Sequence, residues 1–418
     1  MTVQRGDPIS LTLGASHLDL SREAGEVSIA AAVADAAKAG EPLLVCGNGT
    51  KIGMLRPVQA ARSLSMRDHT GITLYAPKEL IISARAGTPL PEIEAALAEH
   101  GQHLIAEPPD LGALLRAPDR PQTIGGIAAT NLSGPRRVAW GAMRDHVLGL
   151  RFVTGWGEVV HSGGRVLKNV TVLDLCKLLC GSHGTLGVIT EVTLKVLPAP
   201  EATGTLVLPG LDAVAGVAAL SAGLGSPFGV SGAAWLPANA AARVPELARF
   251  GRTVALLRIE DFASSVAYRT AKLRDTLGLP AAEILNDDAA RAVWRAVGDA
   301  RPLATSETDA VWRVSVRPSA GPGVLRAVAE AGIGGFLDWG GGLVWLAGPA
   351  TAAGHQTVEA AARMAQGTWT LLRAPEPLRN AVQVVPPEPP PLAAITRRVK
   401  AALDPRGILN PGRFYAGL

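Results

Sequence analysis

Apolar positions in the first part of the chain follow helical and extended patterns in turn. Residues 23–40 are Ala-rich, have helical spacing and end at a glycine, which predicts a helix. Residues 42–45 predict a short buried strand that runs directly into the glycine-rich turn at 47–50. Another apolar strand is predicted at 81–86, followed by a helix at 91–100. This order of elements indicates a layered α/β unit.

The pattern changes twice before residue 200. Residues 107–121 are Pro-rich and irregular, and a long loop of this kind is a candidate for function. Two strands within 147–160 flank a Gly-Trp-Gly turn and predict a hairpin. A helix at 173–180 and a strand at 188–196 follow, and prolines at 198 and 200 then end the pattern. A domain boundary is therefore predicted near residue 200.

The next 180 residues alternate strands with Ala-rich helical stretches such as 266–277. The predicted strands are 205–208, 253–259, 312–316 and 343–346. This rhythm predicts an α+β domain with a mostly antiparallel sheet. The five prolines within 385–391 predict an extended linker, and the tail from 392 predicts a helix followed by a loop. The chain is thus expected to divide into residues 1–200, 201–380 and 381–418.

Composition and charge narrow the class of protein. The 418 residues are 48% hydrophobic and 18% charged, a globular balance, and the net charge is only +4. Basic residues are scattered, so no nucleic-acid partner is expected. No leader segment and no long apolar run are found, so a cytoplasmic location is predicted. Cys176 and Cys180 lack metal-site spacing and are interpreted as core residues, so no metal is expected.

Two glycine-rich segments are candidates for binding a phosphate, because glycine lets backbone N–H groups approach oxygen atoms. The first is Gly47-Asn48-Gly49-Thr50-Lys51, directly after a predicted strand. It departs from the dinucleotide fingerprint, since the third glycine is Gly53, one place late. The second runs from Thr123 through Gly125 and Gly126 to Asn131. Either segment alone is also consistent with a structural turn, but together they favour one large anionic ligand.

The chain resembles the vanillyl-alcohol-oxidase-like family with a PCMH-type FAD-binding domain and, within it, the FAD-binding E subunits of bacterial glycolate oxidases. The segments that carry this resemblance are distributed over most of the chain. They are 132–137 (LSGPRR), 143–149 (MRDHVLG), 168–170 (KNV), 184–192 (GTLGVITEV), 312–316 (WRVSV), 338–345 (DWGGGLVW) and 404–413 (DPRGILNPGR). The implied fold is α+β: a FAD-binding domain of two α/β subdomains and a cap domain with an antiparallel sheet.

The resemblance also implies roles for single residues. Residues 47–51 and 124–131 would cradle the FAD pyrophosphate, Val188 and Ile189 would face the adenine half, and Asn410 would lie near the flavin ring. Lys51, Arg136 or Arg144 could offset phosphate charge. The complete set expected to bind FAD is Gly47, Asn48, Gly49, Thr50, Lys51, Thr123, Ile124, Gly125, Gly126, Thr130, Asn131, Gly134, Arg136, Arg144, Asp145, Gly187, Val188, Ile189 and Asn410.

The resemblance further indicates that FAD is held non-covalently, because Thr50 stands where covalent members of the family have His or Cys. Cys46 is interpreted as a packing residue of the strand interior. One block departs from the family pattern: Val172 and Leu173 replace a Gly and a Tyr. Two consequences of this change are open: a lower affinity for FAD, or a subunit that no longer binds a flavin.

Oxidation of a 2-hydroxy acid needs a base, a cation for the carboxylate and a flavin. Arg258, Arg313 and Arg317 are candidates for the cation, with a solvated strand face as the alternative, and His146 and His183 are interpreted as structural. No catalytic set emerges from the sequence.

The resemblance implies glycolate oxidation within a complex that has a larger flavin subunit and an iron-sulfur subunit, with electrons passing to quinone. Membrane contact would be indirect, through these partners, at the inner face of the plasma membrane. The alternatives are a self-sufficient 2-hydroxy acid dehydrogenase and a flavin-free structural subunit. The exact 2-hydroxy acid and the stoichiometry stay undetermined at this stage.

Overall fold

A computed structural model describes residues 16–18, 25–164, 174–279 and 281–418. The first 200 residues hold a three-stranded parallel sheet (order β1-β3-β2), a five-stranded antiparallel sheet (order β4-β5-β9-β7-β8) and the two-stranded pair β6-β10. Their strands are β1 (Ser16–Leu18), β2 (Leu43–Cys46), β3 (Arg62–Ser65), β4 (Ile72–Ala76), β5 (Ile81–Arg85), β6 (Gln102–His103), β7 (Val147–Val153), β8 (Val159–Gly163), β9 (Val188–Lys195) and β10 (Leu197–Pro198).

Helices cover these two sheets, and their ends follow from local sequence. They are α1 (Glu26–Ala39), α2 (Leu90–Ala98), α3 (Ile124–Thr130), α4 (Arg137–Trp140), α5 (Met143–His146) and α6 (Leu175–Leu179). Helix α1 buries Ile29, Val33 and Ala36 on one face and ends at Gly40. Gly40 has a φ of 66°, a left-handed conformation that glycine adopts more readily than any other residue. The predicted helix at 23–40 is therefore confirmed within three residues.

The segment from 202 to 373 forms one eight-stranded sheet in which every pair is antiparallel, with the order β14-β11-β13-β12-β16-β17-β15-β18. This confirms the predicted antiparallel cap sheet. Its strands are β11 (Ala202–Pro209), β12 (Val230–Leu236), β13 (Val254–Asp261), β14 (Glu283–Asn286), β15 (Asp309–Ser315), β16 (Gly334–Asp338), β17 (Leu343–Pro349) and β18 (Thr368–Arg373).

The two faces of the cap sheet have different neighbours. The Trp312 indole donates to His355 of helix α13 (Ala352–Met364), and Trp235 packs on Gly216 of helix α7 (Ala213–Leu224), so these residues point to the helical layer. Because strand side chains alternate, Arg313 points to the opposite face, towards the first 200 residues. The remaining helices are α7 (Ala213–Leu224), α8 (Ala238–Ala241), α9 (Pro245–Ala248), α10 (Ala263–Leu277), α11 (Asp287–Gly298), α12 (Gly321–Ala329), α13 (Ala352–Met364), α14 (Glu376–Ala381) and α15 (Pro390–Leu403).

The C-terminal segment returns to the first sheet. The expectation of an extended linker over 385–391 is wrong at its end, because Pro390 and Pro391 form the first turn of α15. Proline has no backbone N–H, and the N–H groups of a first helical turn have no partner within the helix, so proline is tolerated there. Beyond the helix, Leu409 forms a parallel bridge with Leu43 of β2. The tail thus continues the small parallel sheet beside the glycine turn at 47–51.

Candidate functional site: a glycine-lined cleft

A cleft of about 740 Å³, measured out to its open mouth, lies where the small parallel sheet, α3, β9 and the C-terminal tail meet. Twelve of the nineteen residues predicted to bind FAD line it, although they come from four separate segments of the chain. They are Gly47, Asn48, Gly49, Thr50, Lys51, Thr123, Gly125, Gly126, Thr130, Gly187, Ile189 and Asn410.

The turn at 47–51 presents backbone donors to the cleft. Among the described residues, none accepts a hydrogen bond from the backbone N–H groups of these five positions. The turn is nevertheless held in place, since Ser65 Oγ donates to the Gly47 carbonyl at 3.2 Å and Asn48 Nδ2 donates to the Pro121 carbonyl at 2.9 Å. Consecutive free N–H groups on a fixed turn make a binding site for an anion.

Close packing explains the glycines on both sides of the cleft. A Cβ on Gly47 would lie 2.2 Å from Thr123 Oγ1, and one on Gly125 would lie 2.6 Å from the Ala86 Cβ. Gly49 has a φ of 75°, which side chains other than glycine rarely adopt. The glycine-rich segment 123–131, for which a structural turn was the alternative, contains the short helix α3 with Thr123 as its N-cap. The two glycine segments therefore meet face to face.

The charge of the cleft is positive. Lys51 Nζ donates to Gln122 Oε1 at 2.9 Å, and burial lowers the pKa of Lys51 to about 8. Burial, with the positive charges of Arg413 and Lys51 beside it, lowers the pKa of His183 to about 3, so this imidazole is neutral at physiological pH. Burial also lowers the pKa of Arg413 to about 9. An anion in the cleft would favour the charged form of Lys51 and raise its pKa again.

The C-terminal tail closes one side of the cleft. Asn410 Oδ1 accepts from the Val45 N–H at 2.7 Å, and its Nδ2 donates to the His183 carbonyl at 2.8 Å. Arg413 donates to the carbonyls of Lys51, Ile52 and Arg56 at 2.8 to 3.0 Å. Both side chains thus hold backbone of the turn or of its neighbours, and this positions the turn at the cleft.

Seven predicted residues lie outside the cleft lining, for identifiable reasons. Ile124 and Val188 are fully buried core residues. Asn131 ends α3 and accepts from the Arg144 N–H, while the Arg144 side chain is about half exposed. Asp145 accepts from the Ala142 N–H in the first turn of α5. Gly134 and Arg136 lie instead at the contact with the cap sheet, where the Gly134 carbonyl accepts from Trp339.

Sequence reasoning missed part of the lining. Cys46, interpreted as a packing residue, is half-buried in the wall of the cleft, and His183 and Arg413 line it too. Arg413 belongs to the tail motif 404–413, so the sequence did indicate that this segment is important. The motif did not indicate which of its side chains would reach the turn at 47–51. The substituted positions Val172 and Leu173 lie outside the described residues.

Arg136 and Arg258 belong to a buried ion-pair network between the first 200 residues and the cap. Arg136 pairs with Glu260 at 2.7 Å, and Arg258 pairs with Glu107 at 2.8 Å and with Glu260 at 3.2 Å. The guanidinium groups lower the pKa of Glu107 and hold that of Glu260 far below its usual range. The network balances two cations with two carboxylates. Arg136 is therefore occupied by Glu260, which corrects its predicted role at a phosphate.

A second group of polar residues beside this network is not balanced. Arg313 and Arg137 both stack on Trp339, at 5.4 and 4.5 Å from the ring centroid. Asp338 is 2% exposed and accepts from the Trp339 N–H at 2.7 Å, and burial raises the pKa of its carboxyl to about 7. Arg317, the other candidate cation, is exposed to solvent.

Two features are absent from the described ranges. No group of three or more His, Cys, Asp or Glu side chains has an arrangement that could hold a metal ion. None of the helices described combines the length and apolar character needed to cross a membrane.

Comparisons with known proteins match both parts of this site. Residues 24–163 match the family described as "FAD binding domain", and residues 388–414 match "FAD linked oxidases, C-terminal domain". Among solved structures, 4-ethylphenol oxidase from Gulosibacter chungangensis superposes with a TM-score of 0.68, covering 94% of this chain and 88% of that one at 13% identity. The fold and the cleft therefore define a FAD-binding protein of the FAD-linked oxidase class, with a PCMH-type FAD-binding domain and a cap.

Relatives in sequence narrow the class. Glycolate oxidase subunit GlcE of Escherichia coli is 35% identical over 379 residues, which cover 90% of this chain and 93% of that protein. Glycolate oxidase subunit GlcD of Bacillus subtilis is 31% identical over 166 residues, which cover 40% of this chain and 34% of that protein. The chain belongs to the family of glycolate oxidase subunit GlcE. The predicted resemblance, α+β fold and FAD-linked oxidoreductase class are thereby confirmed.

The residues of the cleft fit FAD. Its pyrophosphate is an anion, and the turn at 47–51 offers free backbone N–H groups beside the Lys51 ammonium. Gly47 and Gly125 let the turn and α3 pack closely on Thr123 and Ala86, which fixes the two walls of the cleft. The apolar side chains of Met66 and Ile189 line the same cleft and suit a flat ring system.

Proposed function

We propose that the chain binds FAD non-covalently in this cleft and works as a flavin subunit of a complex that oxidises glycolate, a 2-hydroxy acid, to glyoxylate. The twelve predicted residues that line the cleft form the proposed binding set. The turn at 47–51 binds the pyrophosphate, and α3 forms the opposite wall. When bound, FAD supplies the acceptor for the hydride that leaves the hydroxyl-bearing carbon.

Residues 1–200 and 381–418 form the cofactor-binding unit in this proposal, and 201–380 form the cap. Two contacts of the tail support this division: Asn410 and Arg413 hold the backbone on which the cofactor rests. Six buried apolar residues of the first unit pack in the same core as the cap sheet: Met54, Leu55, Leu111, Leu114, Leu115 and Leu132. The cap is therefore fixed over the cofactor unit by both apolar packing and ion pairs.

The proposed partners are a larger flavin subunit and an iron-sulfur subunit that passes electrons to quinone. The printed names of the relatives support partners, since both GlcE and GlcD are called subunits of glycolate oxidase. We place the complex in the cytoplasm, with contact to the inner face of the plasma membrane only through these partners. The flavin of this chain serves either the oxidation itself or electron transfer between subunits.

The observation that carries the proposal is the row of free backbone donors at 47–51 facing a positive, glycine-walled cleft. The test is anaerobic addition of glycolate to the chain alone and to the chain co-purified with its partner subunits, followed at the flavin absorption bands. Bleaching in the complex supports the proposal. Bleaching of the isolated chain would favour a self-sufficient dehydrogenase, and a flavin that stays oxidised in both preparations would contradict glycolate as the substrate.

A further inference from the structure

Helix α15 differs from other long helices of the structure in how little of it is covered. Among its fourteen residues, all of which the structure describes, only Lys400 is buried. By comparison, α11 buries six residues and α13 buries five. A helix of this length is marginal in water by itself, and most helices in proteins are stabilised by packing of an apolar face. A neighbour is therefore expected on the open side of α15.

The anchor of α15 lies at its C-terminal end. Lys400 Nζ pairs with Asp404 at 2.6 Å and donates to the carbonyls of Thr185 and Leu409 at 2.7 and 3.0 Å. Among the described residues, Leu403 is the one apolar side chain of α15 that packs against a hydrophobic core of the chain. The earlier turns of the helix thus extend from the cofactor unit without a core contact of their own.

The open side of α15 carries a row of apolar residues. Leu392 and Ile395 are 48% and 51% exposed, Val399 is half-buried and Ala402 is exposed. Their spacing of three, four and three residues places them on one face of the helix, as at the a and d positions of a coiled coil. We call these four residues the α15 stripe. A helical face of this kind is suited to an apolar groove on another protein.

The charge beside the α15 stripe has one sign. The sequence from 389 to 403 contains Arg397, Arg398 and Lys400 and no acidic residue. At about 100° of rotation per residue, Arg398 borders the stripe, whereas Arg397 lies on the opposite side of the helix. Both arginines are exposed, and neither forms an ion pair with a described residue. A groove that is complementary to this face therefore has acidic side chains along its edge.

Two other occupants fit the α15 stripe less well. In a two-fold symmetric contact between copies of this chain, α15 would lie against the same helix of the other copy, and Arg398 near its middle would face its own equivalent. Like charges in such a contact oppose binding. A lipid surface is disfavoured as well, because the helix has two large exposed apolar residues and no aromatic side chain to insert.

We propose that the α15 stripe docks into an apolar groove with an acidic edge on a partner subunit of the glycolate-oxidising complex. This inference rests on the proposed function, which assigns the chain to a complex, and it identifies the surface through which the chain joins that complex. The helix leads directly into the tail, where Leu409 bridges to Leu43 and Asn410 holds backbone beside the cleft. A partner on α15 would therefore lie against the cofactor unit rather than against the cap.

The test measures the dissociation constant between the flavin-loaded chain and each of its two proposed partner subunits, purified separately. Ile395→Glu should weaken the binding of one partner roughly 100-fold, because it places a charge in an apolar contact. Met364→Glu is the matched control, since Met364 is an 84% exposed apolar residue at the end of α13 on the cap, and it should bind like the wild type. Ile395→Glu should keep the melting temperature and the FAD affinity of the wild type, because Ile395 belongs to none of the described cores.

A second pair of variants tests the charge and the face of the helix. Arg398→Glu should weaken the same binding roughly 10-fold and reduce its dependence on salt. Arg397→Glu makes the same change one position away, on the side opposite the stripe, and should have a clearly smaller effect. Equal effects of the two variants would contradict docking through the stripe. If Ile395→Glu lowers the melting temperature, this pair decides, because both arginines are exposed.

Failure of this inference can be distinguished from failure of the proposed function. Equal binding of both partner subunits by the wild type and Ile395→Glu would overturn docking through α15 and leave the complex intact. A wild-type chain that binds neither partner subunit would overturn the proposed complex itself.

The same variants test the other two occupants. A wild-type dimer in sedimentation that Ile395→Glu makes monomeric, with unchanged partner binding, would assign the stripe to a second copy of the chain. Binding to phosphatidylserine vesicles that Ile395→Glu abolishes, again with unchanged partner binding, would assign it to a membrane surface. Either result would overturn the proposal.

Discussion

Substitution of Gly47 by Ala tests whether the glycine turn is a cofactor cradle. A Cβ at this position would lie 2.2 Å from Thr123 Oγ1, 3.1 Å from its Cγ2 and 3.2 Å from its Cβ. Contacts of carbon with oxygen need about 3.2 Å or more, so the turn or the start of α3 has to move by roughly 1 Å. Such a shift misaligns several donors at once, and we expect FAD affinity to fall on the order of 10- to 100-fold.

Gly53 supplies the matched control for this substitution. It belongs to the same loop, but the nearest atom to a Cβ there is the Leu115 carbonyl oxygen at 3.7 Å, an ordinary contact. FAD is titrated into each apoprotein and followed by quenching of flavin fluorescence, and the melting temperature of each apoprotein reports folding. Gly47→Ala should lose affinity while Gly53→Ala does not. Equal FAD affinities for Gly47→Ala and the wild type would refute the cradle.

Three further predictions follow from the charged residues of the structure. Asp338→Asn should stabilise the protein increasingly as pH rises from about 4 to about 7. Because the pKa of Asp338 is raised, the folded wild type keeps this proton while the unfolded chain releases it, and its free energy of unfolding falls by up to a few kcal/mol over this window. The Asn variant has no such group to titrate, so its free energy of unfolding does not carry this loss. A denaturation series in which the difference between the two proteins is constant with pH would contradict this. Glu107→Gln leaves Arg258 without its bidentate partner and should lower the free energy of unfolding by about 3 kcal/mol, measured by urea titration, with the exposed Glu330→Gln as control. Arg413→Met removes the donor to three carbonyls of the 51–56 loop. The variant should therefore lose FAD affinity while its melting temperature falls only slightly. A melting temperature that falls while FAD affinity is unchanged would count against this.

The elements that the sequence predicted well are those with strong local signals. Helix α1 ends where Gly40 takes a left-handed conformation, and the hairpin of β7 and β8 surrounds its Gly-Trp-Gly turn. Strands such as β12 and β16 were missed because they are short apolar or glycine-rich segments without alternation. Helix α3 was not predicted, since its glycines oppose helix formation locally; Gly125 is present for close packing against Ala86.

In the candidate site too, features that depend on local sequence were predicted, and features that depend on contacts between distant residues were not. Backbone donors at the 47–51 turn follow from glycine in the sequence, so most of the predicted cofactor residues line the cleft. The sequence could not show which arginines are paired and which are not, because their partners lie far away along the chain. Arg136 finds Glu260, 124 positions away, whereas Arg313 finds aromatic rings and no carboxylate among the described residues. Pairing at such sequence distance is a property of the fold.

The central claim is that the cleft holds FAD without a covalent bond, and the visible absorption spectrum before and after acid precipitation tests it most directly. The chain is purified alone and with its partner subunits. The account predicts a flavin spectrum in which the chromophore moves to the supernatant with the acid. A yellow pellet would show a covalent flavin, with Cys46 and His183 as the side chains in the cleft to examine. A colourless protein that takes up no added FAD would contradict the claim.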